Sequence, residues 1–134
     1  MVSRAEEDYI RAAFVLAERK GGEVKSKDLS AYLKVSKNTV SQMLDRLSLD
    51  GFIAFRKYSR NVKLTKKGLS VAKRLTFKHR LIERFLVDIL HIDAGKVHDE
   101  AHNLEHAMSD QVVEGLNKFM RMPKVDPHGQ PIAV

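Results

Sequence analysis

The sequence predicts a mainly α fold in two parts, a small helical head closed by one β-hairpin and a second, helical part. Three observations carry this. Over most of the chain apolar residues recur at helical spacing between capping residues. Near residue 57 two short apolar runs flank a polar, basic turn, the pattern of a hairpin. The charge is also divided: residues 1–76 hold 17 Lys/Arg against 8 Asp/Glu, net +9, whereas residues 77–134 hold 7 against 9, net −2.

Each element follows from local chemistry. Ser3 and Glu6 form a capping box that opens a helix over about Arg4 to Lys20, with Tyr9, Ala13, Leu16 and Ala17 on one face. Gly21-Gly22 ends it. Ser26 is expected to cap a short helix through Leu33, and Ser36 a third helix over Lys37 to Leu49, which Gly51 stops. Phe52-Ile53-Ala54-Phe55 and Val62-Lys63-Leu64 make the hairpin, with Arg56 to Asn61 at its tip. Thr65 caps a long fourth helix reaching about Leu90, and a fifth helix is expected to run unbroken from about Ala94 to Met120. Pro123, Pro127, Gly129 and Pro131 mark a non-helical tail. The domain boundaries read as 1–73, 74–122 and a tail over 123–134.

Composition narrows the class. At 134 residues a single compact core is marginal, so a core shared in a dimer is expected. No apolar run reaches the ~18 residues of a membrane span, and the charged start MVSRAEED is unlike a signal peptide. There is no cysteine, which excludes disulfides and thiolate ligands. A soluble, cytoplasmic protein with no membrane partner is expected.

Two short helices joined by a tight turn and followed by a basic hairpin describe a winged helix-turn-helix, whose third helix reads double-stranded DNA. Val40, Leu44 and Leu47 sit at i, i+4, i+7 and face inward, so Asn38, Thr39, Gln42, Asp45 and Arg46 fall on the opposite side. Ser36, Lys37, Asn38, Thr39 and Ser41 crowd the N-terminal end of that helix, where the helix dipole favours phosphate. Amide and hydroxyl groups such as Gln42 suit base edges, and Arg46 suits guanine or phosphate. Lys57 and Arg60 would lie on the wing against the backbone. Any surface helix has a polar face. What favours DNA is the whole order of helix, turn, helix, hairpin and positive charge.

A second constellation is made of imidazole and carboxylate. His79 and Glu83 stand at i, i+4, and His98, His102, Glu105 and His106 follow on the fifth helix, the last four within a face about 100° wide. Val97, Ala101, Leu104, Met108 and Val112 form an apolar stripe beside them. A lone His or Glu on a helix is usually solvated, but a mixed imidazole–carboxylate face beside a core stripe is costly to bury without a cation. Such donors suit divalent first-row ions. The spacing is not that of the H-E-x-x-H proteases. Asp8 alone is ambiguous, since an acid in a helix's first turn is favourable in any case.

Taken together, Glu7-Asp8-Tyr9, Val40-Ser41-Gln42, His79-Arg80-Leu81-Ile82-Glu83-Arg84-Phe85-Leu86, Val97 through His106, and Asp126-Pro127-His128-Gly129 resemble the diphtheria toxin repressor family of iron- and manganese-dependent regulators. The resemblance runs from about Glu6 to Ile132. It implies a winged helix-turn-helix DNA-binding domain followed by a helical metal-binding and dimerisation domain, acting as a homodimer on a palindromic operator. It implies an activating site of Asp8, His102, Glu105 and His106, and an ancillary site of His79, Glu83 and His98. Iron-type members often carry Met at the position of Asp8 and Cys at that of His102. Manganese-type members carry an acid at the position of Arg11, which helps hold a second ion. The resemblance therefore implies Fe(II) or Mn(II), with Fe(II) slightly favoured. Larger members continue into an SH3-like barrel absent here, so the chain is expected to be a two-domain form or a truncation. A dimer surface is expected from the fifth helix and the apolar side of the fourth, with Leu81, Phe85 and Ile89.

Two other classes compete. One is a winged-helix regulator that answers a non-metal ligand, with the histidine face incidental. The other is a zinc hydrolase built on His102, Glu105 and His106. No residue stands out there as a general base at an open coordination position, and the basic hairpin would go unexplained, so no enzyme is expected.

Overall fold

The computed structural model describes residues 2–55 and 60–134 and divides into two compact units, Met1–Lys73 and Arg74–Val134. In the first unit, α1 (Arg4–Lys20) starts from the Ser3 cap: Ser3 Oγ accepts from the Glu6 N–H, and Glu6 Oε1 accepts from the Ser3 N–H. The helix ends at Gly21, whose φ of 65° is the left-handed turn that glycine adopts without strain. A two-residue strand, β1 (Val24–Lys25), follows; the sequence gives no sign of so short an element. α2 (Ser26–Leu33) is capped one residue earlier than expected, because the Asp28 carboxylate accepts from the Lys25 N–H at 2.8 Å, so Ser26 is the first helical residue.

α3 (Lys37–Leu49) begins at Ser36, whose hydroxyl accepts from the Thr39 N–H. Val40, Leu44 and Leu47 are buried, as their i, i+4, i+7 spacing requires. They join Ile10, Leu29 and Val24 in one core. β2 (Ile53–Phe55) and β3 (Asn61–Leu64) pair antiparallel in the register Ile53 with Leu64 and Phe55 with Val62, and β1 lies on the other side of β3. Lys57 lies outside the described residues.

α4 (Lys66–Asp88) opens at Thr65, whose hydroxyl accepts from the Gly68 N–H. A Cβ at Gly68 would stand 1.9 Å from the Phe52 carbonyl oxygen, so only glycine lets this turn approach the base of the hairpin.

In the second unit the expected fifth helix is two helices, α5 (Val97–Glu105) and α6 (Asp110–Phe119). Ser109 caps α6 by accepting from the Val112 N–H, and the Lys78 ammonium donates to the Met108 carbonyl at 2.8 Å across the break. The broken axis divides the stripe predicted from one helix: Val97 and Ala101 are buried, whereas Leu104 and Val112 are exposed. The segment 123–134 is non-helical but packed. Ile132 is fully buried with Leu81 and Val113, and the Arg80 guanidinium donates to the Pro131 carbonyl. Leu81 is thus spent on this unit's own core and is not available to a dimer partner, whereas Ile89 and Leu104 are exposed.

Candidate DNA interface and metal centre

On the first unit, Ser36, Lys37, Asn38, Thr39, Ser41, Gln42 and Arg46 are all exposed along one side of α3. Ser36 and Thr39 share a 2.8 Å hydroxyl–hydroxyl hydrogen bond, so part of their capacity is used within the cap. Arg46 is 64% exposed and 3.7 Å from the buried Glu6 carboxylate, a weak tether for so solvated a side chain. A cleft of 340 Å³ lies at the N-terminal end of α3, lined by Ser26, Lys27, Lys37, Asn38, Ser41, Phe55 and Arg60. Ser26 and Lys27 were not expected at this surface from the sequence; the folded approach of α2 to α3 brings them beside it. Three cations around a concave surface suit phosphate oxygens.

In the second unit the imidazoles and carboxylates converge: His79, Glu83, Glu105 and Asp126 are buried, His102 and His106 are half-buried, and His98 and His128 are exposed. His102, Glu105 and His106 each offer a ligand atom within 4.8 Å of the others'. Glu105, only 1% exposed, faces two imidazoles, His79 Nδ1 at 3.2 Å and His106 Nε2 at 3.8 Å. His79, Glu83 and His98 form another such group, with His79 Nε2 at 3.2 Å from both Glu83 Oε1 and His98 Nδ1. The structure adds a group that sequence reading missed: Glu83, Asp126 and His128. His128 Nδ1 is 3.6 Å from Glu83 Oε2, and Asp126 Oδ1 accepts from the His128 and Gln130 N–H groups, fixing the turn that carries them. No spacing rule relates Glu83 to residues more than forty positions later; the Asp-Pro-His-Gly motif was the one available signal. Asp8, in the first unit, is half-buried in α1.

The donor set fits a divalent cation. Burial pushes the Glu83 carboxyl up, but the His79 contact and the charges of His79, His98 and His128 outweigh it and hold Glu83 below the usual carboxylate range. Its Oε2 is buried and accepts no hydrogen bond, so an ionised oxygen is presented inward with no donor on it. Imidazole and carboxylate oxygens without thiolate are what first-row divalent ions accept.

Comparison with known proteins fits both surfaces. Residues 1–60 match the iron dependent repressor N-terminal DNA binding domain, and residues 65–133 match the iron dependent repressor metal binding and dimerisation domain. The chain belongs to the iron-dependent repressor family. It is a metal-dependent, DNA-binding transcriptional repressor that dimerises, and a non-metal ligand reading is set aside. It is 32% identical to an uncharacterised HTH-type transcriptional regulator of Methanocaldococcus jannaschii, over 89% of this chain and 94% of that one. It is 36% identical to the diphtheria toxin repressor of Corynebacterium diphtheriae, over 94% of this chain but 55% of that one. A solved manganese-dependent transcriptional repressor in complex with manganese superposes with a TM-score of 0.88 at 34% identity, covering 95% of this chain and 57% of the other. The chain thus spans little more than half the length of those last two. No helix among the described residues is long and apolar enough to cross a membrane.

Proposed function

We propose that the chain is a repressor of metal-homeostasis genes activated by Fe(II) or Mn(II), acting in the cytoplasm as a homodimer on a palindromic operator, with no catalytic step. The observation that carries this reading is the buried imidazole–carboxylate cluster of the second unit, in which Glu105 and Glu83 are enclosed among histidines. The activating set is Asp8 with His102, Glu105 and His106. The ancillary set is His79, Glu83 and His98, completed by Asp126 and His128 of the packed segment after α6.

When bound, the cation supplies the positive charge that fixes these carboxylates and imidazoles in one arrangement. The chain's own residues do the rest. Asp8 stands on α1, which shares one apolar core with α3, so its position bears on the reading helix. A two-fold dimer must set two reading helices about one DNA turn apart, roughly 34 Å, and holding one arrangement among several is a population shift. Lys27, Lys37 and Arg60 neutralise phosphates, while Asn38, Gln42 and Arg46 meet base edges. The assignment carries the domains 1–73 and 74–122, with 123–134 serving as ancillary ligands. Fe(II) is slightly favoured. His102 makes the activating set nitrogen-rich, and the fixed charge of Arg11 opposes a second, adjacent cation.

The test is a DNA-binding titration on a palindromic operator, anaerobically, at buffered free Fe(II), Mn(II) and Zn(II), with and without chelator. Binding that needs Fe(II) or Mn(II) is expected. Equal affinity in chelator sinks the activation mechanism, and activation by Zn(II) alone overturns the metal assignment.

A further inference from the structure

We propose that Lys78 is a positioning residue for the activating set: its ammonium fixes the turn after α5 and so the angle at which Glu105 and His106 are presented. The proposal rests on the reading above that places Glu105 and His106 among the activating ligands.

The turn needs a partner from outside. α5 ends at Glu105 with His106 as its C-cap, and α6 begins only at Asp110. Between them the Ala107 and Met108 N–H groups both donate to the Leu104 carbonyl, at 3.0 and 3.1 Å. The first bonds of α6 go to Ser109, from the Val112 N–H to its hydroxyl and from the Val113 N–H to its carbonyl. The Met108 carbonyl falls just before that cap, where the carbonyl ends of α5 are past and the donors of α6 are already engaged. The Lys78 ammonium donates to it at 2.8 Å. Lys78 is buried, a rare state for lysine unless its head finds a fixed acceptor. Its charge also stands beyond the C-terminal end of α5, where a helix favours a cation.

The same stretch of α4 meets the ligands themselves. His79, the next residue, has Nδ1 3.2 Å from Glu105 Oε2. α4 and the end of α5 are thus joined at two adjacent points, one on a ligand side chain and one on the backbone just past His106. The Met108 side chain packs against both apolar clusters of the unit, that of Ile82 and that of Leu81. A turn held at its carbonyl and at its side chain keeps the last turn of α5 from rotating. Groups that orient a ligand typically change metal affinity 10–100-fold, and Lys78 acts through intervening backbone, so a loss of about tenfold, the lower end, is expected without it.

The experiment is calorimetric titration of Mn(II) into the full chain as wild type, K78M, K78R, K78Q and L86A, with thermal melts by circular dichroism. E105A and H98A show which phase of the isotherm belongs to which set. Lys78→Met keeps the length and packing of the side chain and loses the donor. Lys78→Arg restores a donor. Lys78→Gln is shorter and falls short of the carbonyl, and it repeats the comparison where K78M is unstable. Leu86→Ala opens the core further along α4, among Ile82 and Val97, and so loosens the unit without touching the turn. The expected result is that K78M and K78Q bind at the activating site about tenfold more weakly, with the ancillary phase within a few-fold of wild type. K78R returns to within a few-fold of wild type, and L86A keeps its activating affinity although it melts earlier. Wild-type affinity in K78M overturns the proposal. So does an equal loss in both phases, a like loss in L86A, or a K78R variant as weak as K78M, since each assigns the effect to general loosening or to packing. A wild-type chain without two Mn(II) phases, or E105A with an unchanged isotherm, overturns the two-site reading itself and is distinguished by that pattern.

Discussion

The two units place their functional residues on opposite sides of the boundary between core and solvent. In the first, the core is apolar and the groups proposed to meet DNA stand outside it: Leu44 and Leu47 are buried while Gln42 and Arg46, on the same helix, are exposed. In the second, three of the proposed ligands are themselves buried. His79, Glu83 and Glu105 belong to the interior as fully as Leu81 or Ile82. A surface that reads a polymer can be altered one side chain at a time without touching the fold. A buried ligand cluster is both site and core, so changing it alters affinity and packing together.

The largest expected effect follows from this. Glu105→Ala or His106→Ala should abolish metal-dependent DNA binding, with metal affinity falling by well over the ~10–100-fold typical of an outer-shell change. Gel shift at fixed free metal measures it, and sedimentation checks that the dimer persists. If either variant keeps a normal metal response, the activating set is misassigned. Next, Leu44→Ala should cost about 2–5 kcal/mol in the first unit, and Ile132→Ala a similar amount in the second. Denaturant melts check both. An Ile132→Ala protein as stable as wild type would return residues 123–134 to the status of a loose tail.

A smaller effect is expected at the additional ancillary members proposed above. His128→Ala should weaken metal response less than His106→Ala, because His128 is about half exposed and 3.6 Å from Glu83. A larger loss for His128→Ala would reverse the ranking of the two sites. The smallest and cleanest effects belong to the exposed surface. Gln42→Ala should relax sequence preference by about 1–3 kcal/mol at one base position. Lys27→Ala should weaken all DNA alike and lower the salt slope by about one unit. Both proteins should melt as wild type does. The opposite pattern would exchange the roles of reading helix and phosphate cleft.

What could be read without coordinates divides along the same line. α1 and α3 were legible because their signals are local: the Ser3–Glu6 box, the Ser36 cap, and apolar residues at i, i+4, i+7. The division of the expected fifth helix was not legible. Apolar spacing continues from Val97 through Val112, and Ser109 caps α6 from within that run, so periodicity passes over the break. Imidazoles and carboxylates close together on one helix were visible from spacing, as with His102, Glu105 and His106. Asp126 and His128 were not, because long-range contacts, Ile132 against Leu81 and the Arg80 guanidinium on the Pro131 carbonyl, bring their segment back to α4. Lys27 was missed for a related reason, as it enters the proposed DNA surface through the approach of α2 to α3.

The junction of α4 with the turn at residues 50–52 has a mechanical consequence. Gly68 admits the Phe52 carbonyl where any other residue would collide. Around that contact Thr65 donates to the Gly51 carbonyl, the Phe52 carbonyl accepts from the Thr65 N–H, and the Lys67 ammonium donates to the Asp50 carbonyl while lying over the Phe52 ring. Backbone held by backbone at van der Waals range has almost no slack. A rotation of the first turn of α4 would therefore press directly on the turn at residues 50–52, which follows the C-terminal end of α3. The joint works as a keyed shaft, with Gly68 as the keyway.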